Sequence, residues 1–235
     1  VTNNMANSDT TAYKKEGSTS QSFDSVYGIK INDSSVNYIH QNIGRMSLGV
    51  KVGETYTDYG DGNLEETEQL YDMALSGKGF FAISYADRNG NESVRYTRDG
   101  NFTVNSQGVL VTKDGDFVLA EDGGLINIPE GVKISVDESG RITADGQEIA
   151  QLQLVDFEDY NYLEKFGENM YIAIDGATTK DAQCKVYQGY LEASNVNVVT
   201  EMVDMITITR DYESNQKVIQ TIDSTLEKSV ALGRI

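Results

Sequence analysis

Tryptophan is absent from these 235 residues, and proline, histidine and cysteine occur once each. A lone Cys184 cannot close an intramolecular disulfide. With His40 the only histidine, a structural zinc site of four Cys and His ligands is excluded. Cys184 reads as a small interior residue, since a reactive thiol needs a base and His40 lies far away in sequence. No apolar run approaches the roughly 20 residues that a membrane-spanning helix requires. Basic residues are scarce as well: 19 against 37 acids, for a formal net charge of -18. A surface this acidic repels nucleic acid and anionic lipid, so neither nucleic acid nor membrane insertion is expected. With Pro129 the only proline and 22 glycines present, turns fall to glycine and Asx residues.

What is present divides the chain in three. Residues 1–50 are rich in Asn, Ser and Thr and read as a helix end over 1–8 followed by an extended segment, with short strands at Val26–Ile31 and Val36–Ile39. Residues 51–190 read as a β-rich domain of short antiparallel strands. The strands expected are Phe80–Tyr85, Val94–Thr97, Phe102–Val104 and Val109–Thr112, then Phe117–Leu119, Lys133–Val136, Gln151–Phe157 and Met170–Ile174. Between them stand turn dipeptides such as Asn89-Gly90, Asp99-Gly100, Asp114-Gly115, Asp122-Gly123 and Asp145-Gly146, which tolerate the positive φ of tight hairpins. Tyr162–Gly167 reads as a helical turn.

Residues 191–235 contain a long helix over Asn195–Leu232, with no Pro or Gly before Gly233. Met205, Tyr212, Ile219 and Leu226 recur every seven residues and share one face, in the manner of a coiled coil. A helix of this length is marginal alone and needs a partner for that stripe. The partner is its own β domain, another terminal helix, or another subunit. Ser194-Asn195 stands where the N-cap is expected.

Sharper chemistry finds little support. Asp58-Tyr59-Gly60-Asp61-Gly62 and Asp114-Gly115-Asp116 lack the spacing and closing Glu of an EF-hand loop and read as turns. Glu65-Glu66, Asp156 and Glu158-Asp159 are the carboxylates available for glycoside hydrolysis, but in a chain with 37 acids such neighbours arise by chance. There is no G-x-S-x-G elbow, and Gly77-Lys78-Gly79 lacks the phosphate-loop spacing. No catalytic residue, metal site or cofactor is expected. The 14 tyrosines suit either a core or subunit interfaces.

Three ordered segments resemble one family. Asn3-Asn4-Met5-Ala6-Asn7 followed by Thr11-Ala12-Tyr13-Lys14 is similar to the N-terminal signature of flagellar rod and hook proteins. Leu75 to Phe81, Tyr96-Thr97-Arg98-Asp99-Gly100-Asn101-Phe102 and Gly108 to Thr112 resemble that family's central series. Gln188-Gly189-Tyr190-Leu191-Glu192-Ala193-Ser194-Asn195-Val196-Asn197 resembles the stretch that opens its C-terminal helix. The match departs at Ala12, where the family has Gly, which puts local backbone freedom in question.

The resemblance implies an α+β fold in which the long C-terminal helix pairs with an N-terminal helix in an axial tube, the β domain lying outside. It implies a further helix ahead of Val1. It implies a structural rod subunit, proximal or distal, of the flagellar basal body, exported without a cleaved signal and assembling by itself. Partners would be copies of the chain, other rod proteins, the hook protein and the export apparatus. Interface residues would be Asn3, Asn4 and Asn7 near the start, Leu191, Ser194, Asn195 and Val196 at the helix root, and the heptad stripe. The rival readings are an acidic β-rich surface module, adhesive or calcium-dependent, a hook-related axial protein, and a cell-wall glycan hydrolase.

Overall fold

The computed structural model describes residues 1–30, 41–46, 48–87, 92–129 and 131–232. His40, the strand expected at Val36–Ile39 and the turn at Asn89-Gly90 lie outside the described residues. The architecture is α+β. A short helix α1 (Thr2–Ala6) opens the chain, a long helix α2 (Val198–Leu232) closes it, and short antiparallel strands lie between. Contacts group the chain into two compact units: 1–15 with 59–235, and 16–58.

The smaller unit is built from two antiparallel pairs. Glu16–Ser22 runs against Val50–Thr57, and Val26–Lys30 runs against Gln41–Met46. Its strands are rich in Ser, Thr and Gly, and Val50 and Val52 stay exposed. The pair Glu16–Ser22 and Val50–Thr57 buries little, so its ladder hydrogen bonds are what hold it.

The larger unit is organised around Phe80–Ala86, which pairs antiparallel with Glu92–Thr97, Phe117–Val118 and Leu154–Phe157 in a sheet of nine strands among the described residues. Successive side chains of a strand point to opposite faces. The Phe80-Phe81 dipeptide therefore feeds two cores. Phe81 joins Ile83, Phe102, Leu110 and Val118, while Phe80 joins Phe157, Leu163 and Tyr171 in a second, aromatic cluster. Full burial of such a side chain contributes about 1.5–3 kcal/mol, so this dipeptide stabilises both faces of the sheet.

The turns follow their composition in part: Asp99-Gly100 closes no hairpin, since Glu92–Thr97 and Phe102–Val104 pair with other strands. Asp145 (φ 50) and Gly146 (φ 82) close the hairpin between Arg141–Ala144 and Gln147–Gln151, as a type I′ turn demands of both central residues. Two further pairs do not follow from the alternation: Met73–Lys78 with Gln183–Gln188, and Leu64–Glu66 with Tyr190–Glu192. They close the larger unit by bringing distant parts of the sequence together.

Three local expectations need correction. Tyr162–Gly167 is not a helical turn. A single 3-10 turn at Tyr160–Tyr162 is capped by Asp159, and the chain then enters the strand Leu163–Phe166, drawn in by Leu163 joining the aromatic cluster. Gln151–Phe157 is not one strand: Gln147–Gln151 pairs in a three-stranded meander and Leu154–Phe157 in the main sheet. Finally, α2 starts at Val198, not Asn195. Its cap is Asn197, whose Oδ1 accepts from the Thr200 N–H at 3.1 Å, because Asn195 is occupied elsewhere.

Candidate functional site: a buried junction and an uncovered helix

The three family-like segments meet in space at the root of α2. Lys14 from the first, Arg98 from the second and Glu192 from the third are all buried. The Lys14 ammonium lies 2.6 Å from Glu192 Oε1 and donates to the Gly60 carbonyl at 2.8 Å. Arg98 reaches Glu192 Oε2 at 3.3 Å and Asp61 Oδ1 at 2.9 Å, and also donates to the Gly77 carbonyl. The Gly62 N–H donates to Glu192 Oε1 at 2.8 Å. Position 62 admits only glycine, since a Cβ there would stand 1.9 Å from the Ala193 carbonyl oxygen. Burial pushes the Lys14 ammonium below its ordinary pKa, while Glu192 holds it up against the repulsion of Arg98. One carboxylate thus serves two buried cations. Removing it would strand Lys14 and leave Arg98 only Asp61, which is half-exposed.

Backbone and amide contacts extend this junction. The Ala12 N–H donates to the Glu192 carbonyl at 2.7 Å, with Ala12 held in a left-handed conformation at φ 56. Glycine adopts that conformation without strain, whereas an alanine held there carries a steric cost. Asn195 Oδ1 accepts from the Lys15 N–H at 2.7 Å and its Nδ2 donates to the Gly60 carbonyl at 3.1 Å, joining three separated segments. Ser194 Oγ accepts from the Val196 N–H at 3.3 Å. Leu191 is buried beside Glu192, and Val196 is half-buried.

A second polar group fixes α1 to the first turn of α2. Glu201 is buried; its Oε1 lies 2.6 Å from the Lys15 ammonium and its Oε2 accepts from Asn4 Nδ2 at 3.3 Å. Asn4 Oδ1 in turn accepts from the Tyr13 hydroxyl at 3.2 Å. The Lys15 hydrogen bond holds the Glu201 carboxyl below its ordinary value, with Asn4 adding to it. Asn7 ends α1 and donates to Asn3, so those two make local contacts.

Beyond that first turn the helix is bare. At 35 residues it extends roughly 52 Å. Met205 is half-buried, but Tyr212 is 70% exposed, Ile219 60% and Leu226 58%. Apolar residues scattered singly on a surface are ordinary, whereas a stripe along several helical turns marks a contact surface. No helix among the described residues is long and apolar enough to cross a membrane. Lys14, Arg98 and Glu192 belong to the family-like segments but not to the expected interface residues. A signal for them exists in the sequence: each is a charged residue embedded in its segment. The carboxylate Asp156, weighed for hydrolysis, is buried and bound by the Tyr160 hydroxyl, the Phe157 N–H and Lys180.

A β-rich body carrying a long helix with an exposed apolar stripe is the class that the fold defines. Comparison with known proteins narrows the class. Residues 74–144 match the family described as flagellar hook protein FlgE/F/G D1 domain, and residues 187–232 match flagellar basal body rod FlgEFG protein C-terminal. The flagellar basal-body rod protein FlgG of Buchnera aphidicola subsp. Schizaphis graminum is 33% identical over 97% of this chain and 90% of its own length. FlgG of Caulobacter vibrioides is 33% identical over 99% and 92%. FlgF of the same organism is 34% identical over 97% and 87%. The chain belongs to the flagellar basal-body rod protein family.

Proposed function

We propose that this chain is a structural subunit of the bacterial flagellar rod, which assembles with copies of itself into an axial shaft and carries torque from motor to hook. The observation that carries the reading is the stripe of Tyr212, Ile219 and Leu226 on α2, exposed in the single chain. Contacts that do not close into a ring generate helical filaments, and a long helix with an uncovered stripe is suited to them. Residues 1–50 and 191–235 form the inner axial part and 51–190 the outer part. Neighbours are other rod proteins and the hook protein. The chain is exported through the flagellar apparatus to lie outside the cytoplasmic membrane, and it performs no catalysis.

In this assignment Met205, Tyr212, Ile219 and Leu226 touch neighbours directly. Asn3, Asn4, Asn7, Leu191, Ser194, Asn195 and Val196 set the angle at which α2 leaves the body and contribute at the rim. The test is association of the purified chain, followed by sedimentation and electron microscopy. Polymers that vanish in Ile219→Asp and Leu226→Asp support the reading. Absence of any polymer from the full-length protein across salt and concentration overturns it.

A further inference from the structure

Chain connectivity joins the smaller unit to the larger one at two places, Lys15–Glu16 and Asp58–Tyr59. The ribbon of Glu16–Ser22 and Val50–Thr57 ends on the pair Glu16 and Thr57, so the two connections leave it side by side. Two strands exposed along nearly their whole length are of marginal stability by themselves. Such a ribbon lies at the low end of local stability, and its order depends on how firmly its base is held.

Both connections are held at the root of α2. On the incoming side, Ala12 and Lys14 bind Glu192, and the Tyr13 carbonyl accepts from the Asn195 N–H at 3.3 Å. On the returning side, the Tyr59 ring lies 4.9 Å from that of Tyr160 and 5.4 Å from that of Tyr171, and the Gly60 carbonyl accepts from Lys14. Asn195 spans the two sides: its Oδ1 accepts from the Lys15 N–H and its Nδ2 donates to the Gly60 carbonyl. A primary amide suits this place, because it offers an acceptor to one segment and a donor to the other at once. Lys15 carries the link onward, since its ammonium pairs with Glu201 in the first turn of α2. Opening the ribbon down to Lys15 therefore frees the N–H that Asn195 holds, and with it the cation that holds Glu201.

We infer that Asn195 makes the base of the ribbon and the first turn of α2 open and close as one cooperative unit, so that loosening either loosens the other. Asn195 acts here through Lys15 and Gly60, as a positioning residue. The coupling belongs to the single chain and stands apart from the proposed assembly.

The experiment is amide hydrogen exchange on the whole chain, on Val52→Pro, on Asn195→Ala and on the variant carrying both. Proline at Val52 breaks the ladder opposite Ser20, up the ribbon from the junction. Exchange at Phe80–Ile83, buried in the main sheet, is subtracted as the measure of global unfolding. Val52→Pro is expected to speed exchange at Glu201–Met205 about fivefold or more in the parent. In the Asn195→Ala background that turn already exchanges faster, and adding Val52→Pro changes it no further. Asn195→Asp, which keeps the acceptor for Lys15 and loses the donor to Gly60, replaces Asn195→Ala if alanine unfolds the chain. An α2 turn indifferent to Val52→Pro in the parent overturns the inference. Equal acceleration with and without Asn195 also overturns it, because the ribbon then reaches α2 by another route. Polymers are not read in this measurement, so its failure leaves the rod reading intact.

Discussion

The junction at Lys14, Arg98 and Glu192 and the outer four-fifths of α2 solve opposite problems. At the junction, three sequence-distant charges are buried and satisfied within one chain. Along α2, apolar side chains that could be buried are left in water. A buried charge that loses its partner costs far more than the intact pair contributes, so the junction constrains geometry more than it adds stability. The exposed stripe adds nothing to the single chain, and under the proposed assembly it acquires its energy on association. A rigid root carrying an uncommitted helix is what a subunit needs if its helix must leave the body at a set angle.

Four changes break or sharpen this contrast. The largest effect is expected from Glu192→Gln, which removes the ion-pair partner of Lys14 and leaves Asp61 as the remaining ion-pair partner of Arg98. A loss of about 3–5 kcal/mol in denaturant unfolding is expected. A loss below about 1 kcal/mol would mean that the junction is not a point of constraint.

Next comes Ala12→Val. A β-branched side chain at φ 56 in a buried site combines backbone strain with overpacking, for a loss of about 2–4 kcal/mol. Ala12→Gly should stay within about 1 kcal/mol of the parent. Relief of the left-handed strain is offset there by lost methyl burial and greater freedom in the unfolded chain. A tolerated valine would show that this turn yields.

The third concerns pH. The folded Glu201 carboxyl titrates below its ordinary value of 4.5, because Lys15 and Asn4 favour the charged form. A depressed folded pKa contributes stability that is complete above the unfolded value and is lost as pH falls through the folded one. Stability measured from pH 6 downward should therefore fall more steeply in the parent than in Glu201→Gln. Parallel acid limbs would exclude this contribution.

The smallest effect on folding is expected from Leu226→Asp. Its site is exposed, so monomer stability should stay within about 0.5 kcal/mol. A loss above about 2 kcal/mol would show that α2 is covered within the chain, and the contrast between the two regions would fail.

Elements with a strong local signal are legible in the residues themselves. Periodicity and the absence of breakers place α2 to within a few residues, and Phe102–Val104 falls at its expected bounds. Pairings made at long range are not legible. Met73–Lys78 with Gln183–Gln188 joins segments more than a hundred residues apart, and nothing local in either states the other's identity. The N-cap departs from expectation for a related reason. Ser194, Asn195 and Asn197 are all competent caps by type. The choice among them is made by Lys15 and Gly60, which hold Asn195 from another part of the chain.

By itself the sequence determined the excess of acids, the hairpin turn at Asp145-Gly146, the long helix and its stripe, because each depends on residue type and spacing over a few turns. Only the tertiary structure decided that Lys14, Arg98 and Glu192 share one buried site and that α1 covers one side of the root of α2. It alone left the rest of that helix uncovered. Such outcomes depend on which distant segments close over one another, and burial, unlike periodicity, is a property of the closed chain.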